Sequence, residues 1–198
     1  MVEADSPAAG DALRQRIVDA ALRIGERHGW DALHLHELAG ELELTLAELR
    51  RQVDSKDAIA EAWFDRADAA LLACAAQPGW SSLSPRQRLQ ASMLAWLSAL
   101  APHRRLTAAM LRYKLQPEHL HLQALGLMRV SRTVQWWREV ALLESTGWRR
   151  ELEEAALTAT YLGGFAIWLH DDSATGTRGQ DWLARRLATA EWLIRRFA

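Results

Sequence analysis

Seven histidines, a single cysteine and 25 acidic residues are the side chains with which this chain of 198 residues could hold a metal ion or move a proton. Their spacing argues against both. His34 and His36 are two apart, as are His119 and His121, and on a helix such positions point to different faces rather than to one ion. His170-Asp171-Asp172 could take a cation, but it falls at an expected helix end, where polar residues are ordinary. Cys74 is the only cysteine, so one chain can form neither a disulfide nor a thiolate cluster. No glycine-rich phosphate loop, nucleophile elbow or metalloprotease motif occurs. No catalytic residue, metal or cofactor is therefore expected, and enzyme activity is not.

What remains is binding chemistry, and it falls in two places. Near the N-terminus, Thr45, Leu46, Ala47, Glu48, Arg50, Arg51 and Lys56 lie close together. The basic residues could contact phosphates or bases, and Thr45 could bind phosphate at a helix N-terminus. The plainer reading is a solvated helix face. Charge runs against a nucleic-acid partner: His34–Asp57 holds three basic and six acidic residues, and carboxylates repel phosphate. Residues 1–76 carry eight Arg and Lys against fifteen Asp and Glu, a balance of −7, whereas residues 77–198 balance at +6. Further along, Met93, Trp96, Met110, Met128, Trp136, Trp137, Tyr161 and Trp168 are adaptable or aromatic packers of the kind that surround apolar ligands. Such residues at helical spacing more often form core.

The elements that must position these residues are all helical. Ala, Leu, Arg, Glu and Gln dominate, with no convincing alternation of β-branched residues. Helices are expected from Asp11 to about Gly29, at about His34–Leu42, and at Leu46–Val53 with Thr45 as N-cap. A fourth starts after Asp54 or Ser55 and runs to about Ala76. Gln77-Pro-Gly-Trp-Ser-Ser breaks the pattern. Ser84-Pro85 then opens a helix to about Leu100, followed by helices near 102–115, 117–143, 148–169 and 180–197. The expected organisation is a disordered stretch 1–10, a small helical head with its connecting helix over 11–76, and a larger helical body over 77–198. The acidic start resembles no signal peptide, and no apolar run approaches a membrane span. A cytoplasmic protein is expected.

Ile17-Val-Asp-Ala-Ala-Leu22, His28-Gly-Trp30, Leu38-Ala39 and Leu44-Thr45 through Ser55-Lys56-Asp57 resemble the N-terminal head of the TetR family. The resemblance covers about 50 residues. It implies an all-α TetR-like fold: a helix-turn-helix head, with Leu46–Gln52 as recognition helix, on a helical ligand-binding and dimerisation bundle. The position where the family usually has its turn glycine is Glu43, a residue poorly suited to the left-handed conformation. The family's last two helices form a dimer bundle, which implies a homodimer contact through Ala156, Ala159, Thr160, Gly163, Gly164 and Trp192. Small residues four apart do let helices approach closely, although the same pattern serves packing within one chain. The last helix sets apolar residues against Arg185, Arg186, Arg195 and Arg196, an amphipathic pattern that could also touch an anionic membrane surface peripherally.

A second resemblance is scattered along the chain. Gly29-Trp30, Asp65-Arg66-Ala67-Asp68, Leu97 through Arg104, Trp168 through Ser173, and Trp182 through Arg186 are similar to the ubiquinone-biosynthesis accessory family. Those proteins share the fold but bind lipid or isoprenoid instead of DNA. The expectation adopted is a TetR-type DNA-binding regulator, a repressor acting on a DNA operator and responding to a small apolar or lipid-like ligand. The lipid-binding accessory protein is the alternative.

Overall fold

The structure, a computed structural model, describes residues 7–117, 120–171 and 177–197, with side chains given except at positions 7, 120, 177, 190 and 192–197. His119, Asp172, Ser173 and the side chains of Trp192, Arg195 and Arg196 thus lie outside the described residues. Among the described residues there are nine α-helices and no strand: α1 (Pro7–His28), α2 (Leu35–Glu41), α3 (Leu46–Gln52), α4 (Lys56–Ala73), α5 (Pro85–Leu100), α6 (Arg104–Lys114), α7 (Leu120–Val140), α8 (Gly147–Leu169) and α9 (Thr177–Phe197). The all-helical reading holds. Helix α1 begins at Pro7, earlier than the expected Asp11, so the stretch called disordered is helical in its last residues.

Local signals set most helix ends. Gly29 stops α1 with φ of 87°, the left-handed region that glycine enters without a Cβ penalty, and its N–H donates to the Gly25 carbonyl at 2.8 Å. Ser55 rather than Asp54 caps α4, its hydroxyl accepting from Ala58 N at 3.0 Å. Ser84 opens α5 with a reciprocal box: its hydroxyl accepts from Gln87 N, and the Gln87 side chain accepts from Ser84 N at 2.8 Å.

The contacts divide the chain into two compact units. One holds residues up to Asp65 together with His103–Leu122, and the other holds Arg66–Pro102 with the residues from Gln123 onward. The Gln77–Ser82 break lies within the second unit. Trp80 there is buried and donates its indole N–H to the Val140 carbonyl at 2.7 Å.

In the first unit, Ile17, Val18, Ala21 and Leu22 of α1 are fully or almost fully buried, as are Leu38, Leu49 and Ile59 from the three helices that follow. Helix α6 is built into this unit by several contacts of different kinds. Leu106 packs directly over Gly25, where an added Cβ would come within 2.9 Å of its side chain. Trp63 donates its indole N–H to Thr107 at 3.0 Å, and His103 meets Glu26 at 3.0 Å. Lys114 is 5% exposed and sits between Asp57, at 2.6 Å, and Glu61. A buried ammonium is tolerable only with such partners.

In the second unit the core is aromatic. Trp96 meets Tyr161 and Phe165 edge-on, with centroids 5.2 and 5.0 Å away, and Phe165 stacks on Trp168 at 5.8 Å. Asp68 of α4 is the polar hub beside it. Its carboxylate accepts from Trp96 Nε1 at 2.8 Å, Arg129 Nη2 at 2.8 Å and Thr133 Oγ1 at 3.2 Å. Trp137 donates to the Leu89 carbonyl at 3.0 Å and to Ser92 Oγ at 3.1 Å. Helices α8 and α9 approach closely at Gly163, where an added Cβ would lie 2.6 Å from the Trp182 ring.

Candidate functional site

The helix-turn-helix geometry is made by α2, the turn Leu42–Leu44 and α3. Leu38 and Ala39 of α2 and Leu49 of α3 are buried, so apolar contact fixes the two helices. The turn closes with Leu44 N donating to the Ala39 carbonyl at 2.9 Å and Glu43 N donating to the Gly40 carbonyl at 3.1 Å. Glu43 takes φ of 56°. The left-handed conformation survives without glycine, at a cost of about 1–2 kcal/mol for a residue with a Cβ. The hydrogen bonds of the turn and the buried leucines on either side outweigh that cost.

Thr45 caps α3 as its type predicts, and Glu48 completes a capping box. Thr45 N and Oγ1 donate to Glu48 Oε2 at 2.8 and 2.7 Å, while Glu48 N donates to Thr45 Oγ1 at 3.2 Å. These bonds hold the Glu48 carboxyl below the usual carboxylate range: the Thr45 backbone N–H contributes most, then the Thr45 hydroxyl, opposed by desolvation, with the Arg51 charge a lesser help. Of the residues expected at this surface, Thr45, Leu46, Ala47, Arg50 and Arg51 are exposed and Glu48 is half-buried. Leu46, the first residue of α3, is 56% exposed.

Lys56 is placed differently. Its ammonium lies 5.4 Å from the Trp30 ring centroid and 4.9 Å from that of Tyr113, and it donates to the Asp31 carbonyl at 3.2 Å. Burial pushes its pKa down, opposed by Asp31. Lys56 therefore ties the loop after α1 to the start of α4 and to α6, a structural task.

The acidity of the head is partly spent internally. Glu41 pairs with Arg23 at 3.2 Å and Arg27 at 2.8 Å, Asp57 pairs with Lys114, and Glu48 serves the cap. Counting charges along His34–Asp57 could not show this, because the partners of Glu41 and Asp57 lie on α1 and α6. The stacking of His34 and His36 corrects the helical-face argument. His34 is the extended N-cap of α2, so the two rings meet with centroids 5.5 Å apart. Among the described residues no three His, Cys, Asp or Glu side chains are grouped as a metal would need.

The expected ligand residues do not form one set. Met93, Trp96, Trp137, Tyr161 and Trp168 are buried in the second unit. Met110 is buried on α6, which groups with the first. Met128 and Trp136 lie on α7 at 58% and 50% exposure. The expected dimer residues divide likewise. Gly163 and Gly164 face Trp182 of the same chain, Thr160 is buried and donates to the Ala156 carbonyl at 2.7 Å, and Ala159 is exposed. Sequence reasoning missed a longer pattern on α8. Trp148, Leu152, Ala155, Ala159, Leu162 and Ala166 are all exposed, and their spacing alternates four and three.

A helix-turn-helix unit followed by an all-helical body defines the class of regulators that carry a DNA-reading head on a bundle. A crystal structure of a TetR transcriptional regulator from Nitrosomonas europaea matches with a TM-score of 0.81 at 38% identity, over 91% of this chain and 99% of that one. A TetR-like transcriptional regulator from Rhodococcus shares the fold, with a TM-score of 0.54 at 20% identity over 93% of this chain and 97% of that one. No family model and no curated protein matches the sequence. The chain belongs to the TetR family of transcriptional regulators. Both neighbours are described as transcriptional regulators, so the ubiquinone-biosynthesis alternative gains no support from them. No helix among the described residues is long and apolar enough to cross a membrane.

Proposed function

We propose that this protein is a DNA-binding transcriptional regulator, a repressor that works as a homodimer and responds to a small apolar ligand. The observation that carries the reading is the surface of α3: a capped helix in a helix-turn-helix unit, presenting Thr45, Leu46, Ala47, Arg50 and Arg51 outward. In such a unit the second helix enters the major groove and its N-terminal residues meet base edges. Arg50 and Arg51 supply base or phosphate contacts, and Leu46 supplies apolar contact with a thymine methyl. Pairing of Glu41 with Arg23 and Arg27, and of Asp57 with Lys114, lowers the repulsion that the charge count over His34–Asp57 alone predicts.

The dimer contact is the α8 stripe from Trp148 to Ala166. A four-three spacing of apolar positions winds one helix face against another. Trp148 and Leu152, each 61% exposed, are otherwise costly to leave in water. A two-fold contact here gives two heads for the two halves of a palindromic operator. The aromatic cluster of Trp96, Tyr161, Phe165 and Trp168 supports an apolar ligand in the second unit.

The test is binding of the purified protein to the DNA upstream of its own coding sequence, across a salt series. A saturable complex is expected that weakens steeply as salt rises. No sequence-dependent complex at low salt, with Arg50→Ala and Arg51→Ala indistinguishable from wild type, would refute the reading.

A further inference from the structure

The recognition helix carries an acid that the proposed function leaves unused. Glu48 stands among the outward residues Thr45, Leu46, Ala47, Arg50 and Arg51, and only one of its oxygens is engaged. Oε2 accepts both Thr45 donors, at 2.8 and 2.7 Å. Among the described residues, Oε1 accepts no hydrogen bond. Two short bonds from one residue leave the carboxylate little rotational freedom, so its second oxygen is held with it on the first turn of α3. The Thr45 donors favour the ionised carboxylate, in which that oxygen is an acceptor.

We infer that Glu48 is a specificity-determining residue of the DNA site, reading an amino-bearing base in the major groove. The inference rests on the DNA-binding reading above. Three physical points lead to it. A fixed carboxylate accepts from the cytosine N4 amino group, the one major-groove donor of a G·C pair. The same charge repels phosphate, so it weakens sequence-independent binding while leaving the base contact favourable. The capping box also uses the Thr45 hydroxyl proton on Glu48 Oε2. Thr45 is thereby turned into the support of the reading group, not a phosphate contact of its own.

The experiment is selection from randomised duplex DNA by the full-length protein, carried out in parallel for wild type, Glu48→Gln and Glu48→Ala. Circular dichroism of each variant checks that the helical content is kept. Gln retains an oxygen for the Thr45 donors and offers an amide N–H outward, so it keeps the cap while replacing an acceptor by a donor. Wild type should enrich cytosine at one position in each half-site, by about tenfold over the other bases. Glu48→Ala should lose the preference at that position alone, and Glu48→Gln should shift it toward an acceptor base such as guanine or thymine. Both variants should bind unrelated DNA more tightly than wild type does. Unchanged base preference at every position in both variants, while wild type still selects a site, overturns the inference and leaves the DNA-binding reading standing. Failure of wild type to enrich any sequence, with Arg50→Ala and Arg51→Ala retaining the same weak binding, overturns both.

Discussion

Removing the Asp68 carboxylate should be among the most damaging single changes in the second unit. Donors that converge on it include Trp96 Nε1 and Arg129 Nη2, each at 2.8 Å, and Thr133 Oγ1 at 3.2 Å. The Arg129 side chain is 8% exposed, and that of Asp68 20%. In Asp68→Ala the guanidinium loses the Asp68 charge in a place water barely reaches, and breaking a buried pair costs about 3–5 kcal/mol. The Trp96 indole N–H loses its acceptor as well, and a buried unsatisfied donor costs about 1–3 kcal/mol. Neighbouring rearrangement will recover part of this, so the expected loss is about 4 kcal/mol. Asp68→Asn keeps an acceptor for Trp96 and discards only the charge, so it should lose about half as much. The decisive variant is Asp68→Ala combined with Arg129→Met. Deleting both charges removes the buried charge that Asp68→Ala leaves behind, and a buried pair is often replaceable by apolar side chains at little net cost. Urea unfolding followed by far-ultraviolet circular dichroism gives each stability from its midpoint and slope. A double variant no more stable than Asp68→Ala would refute the argument, as would an Asp68→Ala loss below about 1 kcal/mol.

Other outcomes follow from single sites. Glu43→Gly should raise stability by about 1 kcal/mol in a thermal melt, because the left-handed φ of 56° loses its Cβ penalty and part of that gain is offset by unfolded-chain entropy. Glu48, whose folded pKa is lowered, adds stability that is complete above the ordinary carboxylate range and is lost as pH falls through its folded value. The stability advantage of wild type over Glu48→Gln should therefore shrink on acidification below about pH 4, a range set by ordinary glutamate titration. Leu152→Glu, at a position 61% exposed in the single chain, should leave the fold intact by circular dichroism and halve the mass measured by light scattering. Gly163→Val should destabilise by about 1–3 kcal/mol, because its side chain would be driven into the Trp182 ring.

The sequence by itself determined the local grammar of this protein. Thr45 three residues before Glu48, Ser84 before Pro85, and Gly29 after an apolar-periodic helix fix helix ends through short-range hydrogen bonds and dihedral limits. They needed no knowledge of what packs where. Partnership across the chain was decided only by tertiary structure. Lys56 looked like a phosphate contact beside Arg50 and Arg51, yet its ammonium is held by Trp30 and by Tyr113, which lies on a helix 57 residues later. The acidity of His34–Asp57 looked like an obstacle to DNA, yet Glu41 pairs with α1 and Asp57 with α6. The glycines of α8 looked like a dimer seam, whereas Trp182 occupies the space they leave and the outward stripe runs from Trp148 to Ala166. Side-chain type and spacing report what a residue can do. Which of its options is used depends on neighbours that only the folded chain brings within a few ångströms.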